Sequence, residues 1–258
     1  MADDLALALE LADVADEITR WRFRARDLVV DTKPDLTPVS EADRAVEQAL
    51  HTRLADARPA DAVVGEEYGE RGSAGASRRW IVDPIDGTKN YVRGMPIWAT
   101  LIALEQDGEL THAVVSAPAL CRRWWAARGQ GAFVNGARLH VSAIDDLADA
   151  QLLWSGIEEW DEVGRADAVI TLARRCWRSR GVGDFWQYML VAEGAAEIGL
   201  DPVVSLWDVA APLVIVEEAG GRFSDLSGTG GADGGSGVAT NGLLHEAVLE
   251  IVAPPTTR

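Results

Sequence analysis

Leu7, Leu11, Val14, Ile18 and Trp21 step along the start of the chain by four, three, four and three residues, the spacing of one helical face. DTKPDLTPVS (31–40) breaks that rhythm with two prolines and several polar residues, and reads as a loop. Ser40 followed by Asp43 has the pattern of a capping box, opening a second helix through EADRAVEQALHTRL. AVVGEE (62–67) reads as a short strand running into two glutamates, and the Gly-, Ser- and Ala-rich stretch 69–77 as a mobile loop. RWIVD, IWATLIAL, THAVVSAPA and RRWWAARG follow as strands parted by turn residues such as QDGE, and GQGAFVNGARLHVS adds two short ones. Helices are expected near 161–175, 184–194 and 207–219, with a last one over roughly 242–252 before a Pro/Thr tail expected to fray.

No internal repeat and no linker interrupts this alternation, so the pattern points to an α/β body with a partly antiparallel sheet. A chain of 258 residues suits one α/β domain or two closely joined halves, and its 48% hydrophobic content is enough for a large core. The longest apolar runs, such as WATLIAL, fall far short of the roughly 20 residues a membrane span needs. MADDLALALELADVADE has no basic leading region, so a secretory signal is not expected and a cytoplasmic location is. The formal charge of −17 argues against a nucleic-acid partner, which needs a basic footprint. It leaves a phosphorylated small molecule open, provided metal ions offset the local charge. Cys121 and Cys176 lack C-x-x-C spacing and read as reduced thiols, and the four scattered histidines form no zinc signature.

Acidic residues stand at the ends of apolar segments in three places. Glu66 and Glu67 follow AVVG, Asp83 and Asp86 follow RWIV, and Asp208 sits in the first turn of LWDVAAPLVIVEEAGG. Singly, these are ordinary loop charges, a turn and a helix cap. Together they would repel one another and hold their protons unless cations lay between them. An all-oxygen set without histidine favours magnesium or manganese over zinc. Carboxylates shared between two ions suit phosphoryl displacement, and the small residues of DGT would start a helix facing a phosphate.

GEE, WIVDPIDGTKNYVRG and LWDVAAPLVIVEEAGG resemble the signature regions of the inositol monophosphatase-like family; GQGAFVNGARLHVS resembles its middle segment and SEAD (40–43) its early acidic motif. The resemblance covers nearly the whole chain. It implies an αβαβα sandwich of the inositol monophosphatase/fructose bisphosphatase type, one phosphatase domain over 1–258 with halves near 1–145 and 146–258, and a homodimer. It further implies two to three magnesium ions, with manganese or zinc as substitutes. Glu66, Asp83 and the Ile85 carbonyl would hold one ion, Asp83, Asp86 and Asp208 a second, and Glu67 a weaker third. Gly87 and Thr88 would present N–H groups to the phosphate of a small-molecule monoester. Thr88, hydrogen-bonded to Asp43, would position the attacking water beside Glu66, and the water would attack in line. Lys89 stands where threonine is common in inositol monophosphatases, and reads either as a phosphate contact or as a solvated charge.

Within the family, DTKPDLTPVSEADRAVE, SAPALCRRWWAARGQGAF and GDFWQYMLVAEGAAEIG resemble the histidinol-phosphate phosphatases. That substrate carries an amine and an imidazole, so its pocket should offer acids and an aromatic wall. Asp201, seven residues before Asp208, is placed by the resemblance against the substrate; Asp184 reads either as a substrate contact or as a helix N-cap. Trp186 and Trp207 read as core. The alternatives are an inositol-1-monophosphatase or a broader small-molecule phosphatase. A bisphosphate nucleotidase, a fructose bisphosphatase using Arg122 or Arg123, and a non-catalytic interaction protein fit the residues less well.

Overall fold

The chain opens with α1 (Ala2–Arg22), a hairpin of β1 (Val30–Thr32) and β2 (Pro38–Ser40), and α2 (Glu41–Ala57). This is a computed structural model; it describes residues 2–253 apart from 35, 73 and 74, so the terminal Pro/Thr tail lies outside the described residues. A first sheet follows from β3 (Ala62–Gly65), β4 (Gly69–Arg71), β5 (Arg78–Asp86), the short α3 (Thr88–Val92), β6 (Ala99–Gln106), β7 (Glu109–Ala117), β8 (Arg122–Ala127), β9 (Gly131–Val134) and β10 (Ala137–Arg138). Its spatial order is β10-β9-β8-β7-β6-β5-β3-β4, antiparallel except where β3 lies beside β5. The later part supplies β11 (Gln151–Trp154), α4 (Ile157–Glu162), α5 (Ala166–Arg175), β12 (Arg178–Gly181), α6 (Asp184–Ala192), β13 (Ile198–Asp201), α7 (Leu206–Glu218), β14 (Arg222–Ser224), β15 (Gly237–Thr240) and α8 (His245–Val252). These strands form a second sheet, β12-β11-β13-β15-β14, parallel across its first three strands and antiparallel across the rest.

Strand alternation explains how the layers stack. In β5, Trp80 and Val82 face one side with Ile102, Leu104 and Val114, where α1 and α2 bring Leu7, Leu11, Val46 and Leu50. Ile81 faces the other way with Leu101, Ala103 and Val115, against Met189 of α6 and Val209, Leu213 and Val216 of α7. The second sheet buries Leu152, Ile198, Leu200 and Val238 against Trp160, Val169, Leu172, Val248 and Val252 from α4, α5 and α8. The order is helices, sheet, helices, sheet, helices. Because both faces of the first sheet are covered, its central strands are apolar throughout instead of alternating with polar residues. Each fully buried Val, Leu or Ile in these layers contributes about 1.5–3 kcal/mol relative to exposure.

Several sequence expectations need correction. Trp21, assigned to the buried stripe of α1, is 80% exposed, because it lies a turn beyond Ile18, the last α1 residue packed on this core. The loop at 31–40 contains the β1–β2 hairpin, and the one at 69–77 begins with β4. The helix expected over 161–175 is two helices, parted at Gly164, whose φ of +68° is left-handed. The last helix starts at His245, after Gly242 turns the chain with φ of +84°.

Candidate active site

The strand β5 ends in a β-bulge. Asp83 pairs with Leu101 and Asp86 with Ala99, so three steps along β5 match two along β6. Pro84, which has no N–H to give the ladder, sits inside this irregularity. Strict alternation would send Asp83 and Asp86 to opposite faces. Instead, carboxylate oxygens of Asp83, Asp86 and Asp208 all lie within 4.8 Å of one another. Asp208 arrives from the third position of α7, where its Oδ2 accepts the Ser205 N–H at 2.7 Å. Asp86 Oδ2 accepts the Phe185 N–H of α6 at 2.5 Å, while Asp83 Oδ1 is buried without a hydrogen-bond partner among the described residues.

Gly87 turns the chain out of β5 with φ of +82°, and a Cβ there would sit 3.0 Å from the Ile97 carbonyl and 3.2 Å from Asp184 Oδ2. Only glycine meets both demands. α3 starts at the next residue. Thr88 Oγ1 lies 3.0 Å from Asp43 Oδ1 and 2.8 Å from the Ile85 carbonyl oxygen, so one hydroxyl proton serves two acceptors. Asp43 is fully buried and is the third residue of α2; its Oδ2 accepts the Ser40 N–H at 2.8 Å, closing the capping box.

Glu66 and Glu67 follow β3. Lys33, carried on the β1–β2 hairpin, bridges them at 2.7 and 2.6 Å. The turn itself is held by a residue that sequence reasoning passed over. Glu47 of α2 is fully buried, and its carboxylate accepts the Glu67 N–H at 2.8 Å and the Tyr68 N–H at 2.9 Å. A Cβ at Gly65 would fall 2.1 Å from Glu47 Oε1, so glycine is needed there for space. The signal was an acid placed on the buried stripe of α2, among Val46, Leu50 and Leu54.

The electrostatics follow from this crowding. Burial, then Glu66, Asp86 and Asp208, push the Asp83 carboxyl well above the ordinary carboxylate range. Burial and the charges of Asp184 and Asp208 do the same to Asp86. Glu66 is raised to about 7 and Asp208 to about 6, burial being the largest cause for both. Carboxylates arranged in this way gain from a cation that none of their protein neighbours fully supplies.

Two adjoining clefts meet at Asp86, Lys89, Asp184 and Asp208. One, of about 370 Å³, is lined also by Lys33, Glu66, Asp83, Gly87, Thr88 and Trp207. The other, of about 340 Å³, extends past Ser155, Glu159, Tyr188 and Asp201. Asp184 stands one residue inside α6, whose N-cap is Gly183, so the capping expectation is replaced by a bond from Asn90 Nδ2 to Asp184 Oδ2 at 2.9 Å. Asp201 is buried on the cleft wall, where its Oδ2 takes hydrogen bonds from Tyr188 OH at 2.7 Å and from Gln187 Nε2. Trp207 packs on the main core, as expected, and also lines the first cleft. Trp186 packs on the same core. Arg122 pairs with Glu193 and Arg123 with Asp13 and Asp16, and neither lines these clefts. Both cysteines are free. Among the described residues no helix is long and apolar enough to cross a membrane.

The chain matches the inositol monophosphatase family over residues 1–254. It is 57% identical to the histidinol-phosphatase of Mycobacterium tuberculosis, with 96% of each chain covered. It is 52% identical to the histidinol-phosphatase of Streptomyces coelicolor, again with 96% of each covered. The structure superposes on the extragenic suppressor protein suhB of Bartonella henselae with a TM-score of 0.91 at 26% identity, covering 98% of this chain and 99% of that one. With carboxylates gathered at a bulged strand end, layers stacked in this order and a match along almost its entire length, the chain belongs to the inositol monophosphatase family.

Proposed function

We infer that this protein hydrolyses L-histidinol phosphate to L-histidinol and inorganic phosphate, a phosphoric monoester hydrolysis that serves histidine biosynthesis. The observation that carries the substrate is the match, over 96% of the chain, to two proteins named histidinol-phosphatase at 57% and 52% identity. The chemistry is supported by the site itself. Asp83 and Asp86, both buried, and the half-buried Asp208 converge as an all-oxygen set, with one orphaned oxygen on Asp83, which fits hard divalent cations such as magnesium. Glu66, Asp83 and the Ile85 carbonyl would hold one ion, Asp83, Asp86 and Asp208 a second, and Glu67 a weaker third. When bound, such ions lower the pKa of a coordinated water and neutralise charge on the phosphate oxygens.

The chain's own groups do the rest. Thr88 spends its proton on Asp43 and Ile85, leaving lone pairs that orient a water for attack. The backbone N–H groups of Gly87 and Thr88 face the phosphate from the start of α3, where charge develops in the transition state. Lys89 adds a positive charge at the junction of the clefts. Water attacks phosphorus opposite the leaving alkoxide, one P–O bond forms as the other breaks, and no phosphoenzyme is made. The same reading has the whole chain acting as one phosphatase domain in the cytoplasm. It also carries a homodimer, supported by the exposed apolar side chains Ile157, Val163 and Trp177 in the second half.

The test is phosphate release with magnesium, comparing histidinol phosphate with inositol 1-phosphate at matched concentrations. A strong preference for histidinol phosphate is expected. A preference for inositol phosphate would overturn the substrate and leave the residue roles standing.

A further inference from the structure

The second cleft is lined by five carboxylates, Asp86, Glu159, Asp184, Asp201 and Asp208, against one cation, Lys89. The acids are not equally engaged. Asp86 and Asp208 belong to the convergent set, Asp184 Oδ2 is held by Asn90, and Asp201 Oδ2 by Tyr188 and Gln187. The Glu159 carboxylate, on α4, has no hydrogen bond or ion pair among the described residues. It is half-buried, and its charge is felt by both Asp184 and Asp201. One turn before it stands Ser155, only 6% exposed. Its hydroxyl lines the cleft beside Asp201, whose carboxylate it helps to stabilise, but it closes no well-formed hydrogen bond, so a buried polar group at the cleft wall is left incompletely satisfied.

Resting on the substrate reading above, we propose that Glu159 and the Ser155 hydroxyl form a cation subsite that takes the amine and imidazole end of the substrate. An unpaired carboxylate and a hydroxyl oxygen with acceptor capacity to spare are the complement of a group rich in N–H donors and positive charge. A neutral polyol would satisfy the hydroxyl and leave the acid charges of this wall unbalanced. Tyr188 and Gln187 occupy Asp201 Oδ2, which leaves Glu159 as the acid free to contact the ligand. The subsite therefore lies at the start of α4, apart from β5 and α7, which supply the convergent carboxylates.

The experiment uses the magnesium-loaded enzyme and the variant E159Q, which keeps the side chain's size and removes its charge. L-Histidinol is titrated as an inhibitor of p-nitrophenyl phosphate hydrolysis, and kcat/KM is measured for histidinol phosphate and for p-nitrophenyl phosphate. The inhibition constant for histidinol should rise about 10- to 100-fold in E159Q, as expected for loss of a charge-assisted contact, with the ratio of the two kcat/KM values falling in step. S155A should lower that ratio by a smaller factor and serves if E159Q folds poorly. The proposal is overturned if histidinol binds E159Q as tightly as wild type, if both substrates lose equally, or if histidinol does not bind wild type. Failure of the substrate reading is separate: wild type would not hydrolyse histidinol phosphate, yet histidinol inhibition sensitive to Glu159 would still establish the cation subsite.

Discussion

Replacing Asp208 with asparagine should make the metal-free protein more stable while abolishing turnover. Burial, more than any other cause, moves the Asp208 carboxyl from 3.8 to about 6. Between those values the folded chain keeps a proton that the unfolded chain has lost, so stability falls as pH rises through that window and stays low above it. At about 1.4 kcal/mol per tenfold change, the displacement costs the folded state about 3 kcal/mol at pH 7.5. Asparagine never ionises and avoids this cost. Its amide oxygen still accepts the Ser205 N–H, a neutral cap weaker by about 0.5–1 kcal/mol. The net gain is about 2 kcal/mol, or a rise in Tm of about 4–8 °C for a chain of this size. Calorimetry in chelator at pH 7.5 reads the gain, which should shrink by pH 4.5. Saturating magnesium should reverse the order, since a ligand at a hundred times its Kd stabilises wild type by about 2.7 kcal/mol. A chelated Asp208→Asn protein that melts below wild type at pH 7.5, or a gap that ignores pH, refutes the reasoning.

Thr88→Ala should lower phosphate release about 10²- to 10⁴-fold at saturating magnesium with an unchanged far-ultraviolet spectrum, because it removes only the hydroxyl bonded to Asp43, the group proposed to orient the attacking water. A loss below tenfold would remove it from the reaction. Glu47→Gln replaces two charge-assisted N–H···O bonds with weaker ones and should cost about 2 kcal/mol of stability with or without chelator, together with weaker magnesium binding by calorimetric titration. Unaltered magnesium affinity would show that the turn carrying Glu66 does not depend on it.

Much of the layered fold was legible because long periodic segments announce themselves: α2, β5 to β8 and α7 lie close to their expected places. The strands of the second sheet were not, since QLLW, IGLD and GVAT are four residues long and carry no resolvable period. Of the site, the acids at strand and helix ends were visible as residues and the family resemblance implied their convergence, but the backbone device that achieves it was not visible. A bulge of a single residue, marked only by Pro84, decides whether Asp83 and Asp86 share a face. Glu47 was hidden by its helix, where a solvated charge and a buried acceptor look alike. Ser155 and Glu159 were hidden for a related reason: GIEEWDE reads as a polar surface helix until the cleft beside it is seen.

α7 packs on β5 to β9 of the first sheet and on β14 and β15 of the second, and it brings Asp208 to acids held by the first. Asp86 likewise reaches Phe185, 99 residues away. The carboxylate constellation therefore joins segments distant along the chain and exists only once both sheets have closed on that helix. In kinetic terms it lies on the native side of the folding barrier. Divalent ions should then leave the folding rate nearly untouched and act by slowing unfolding, so their protection is measured as lifetime.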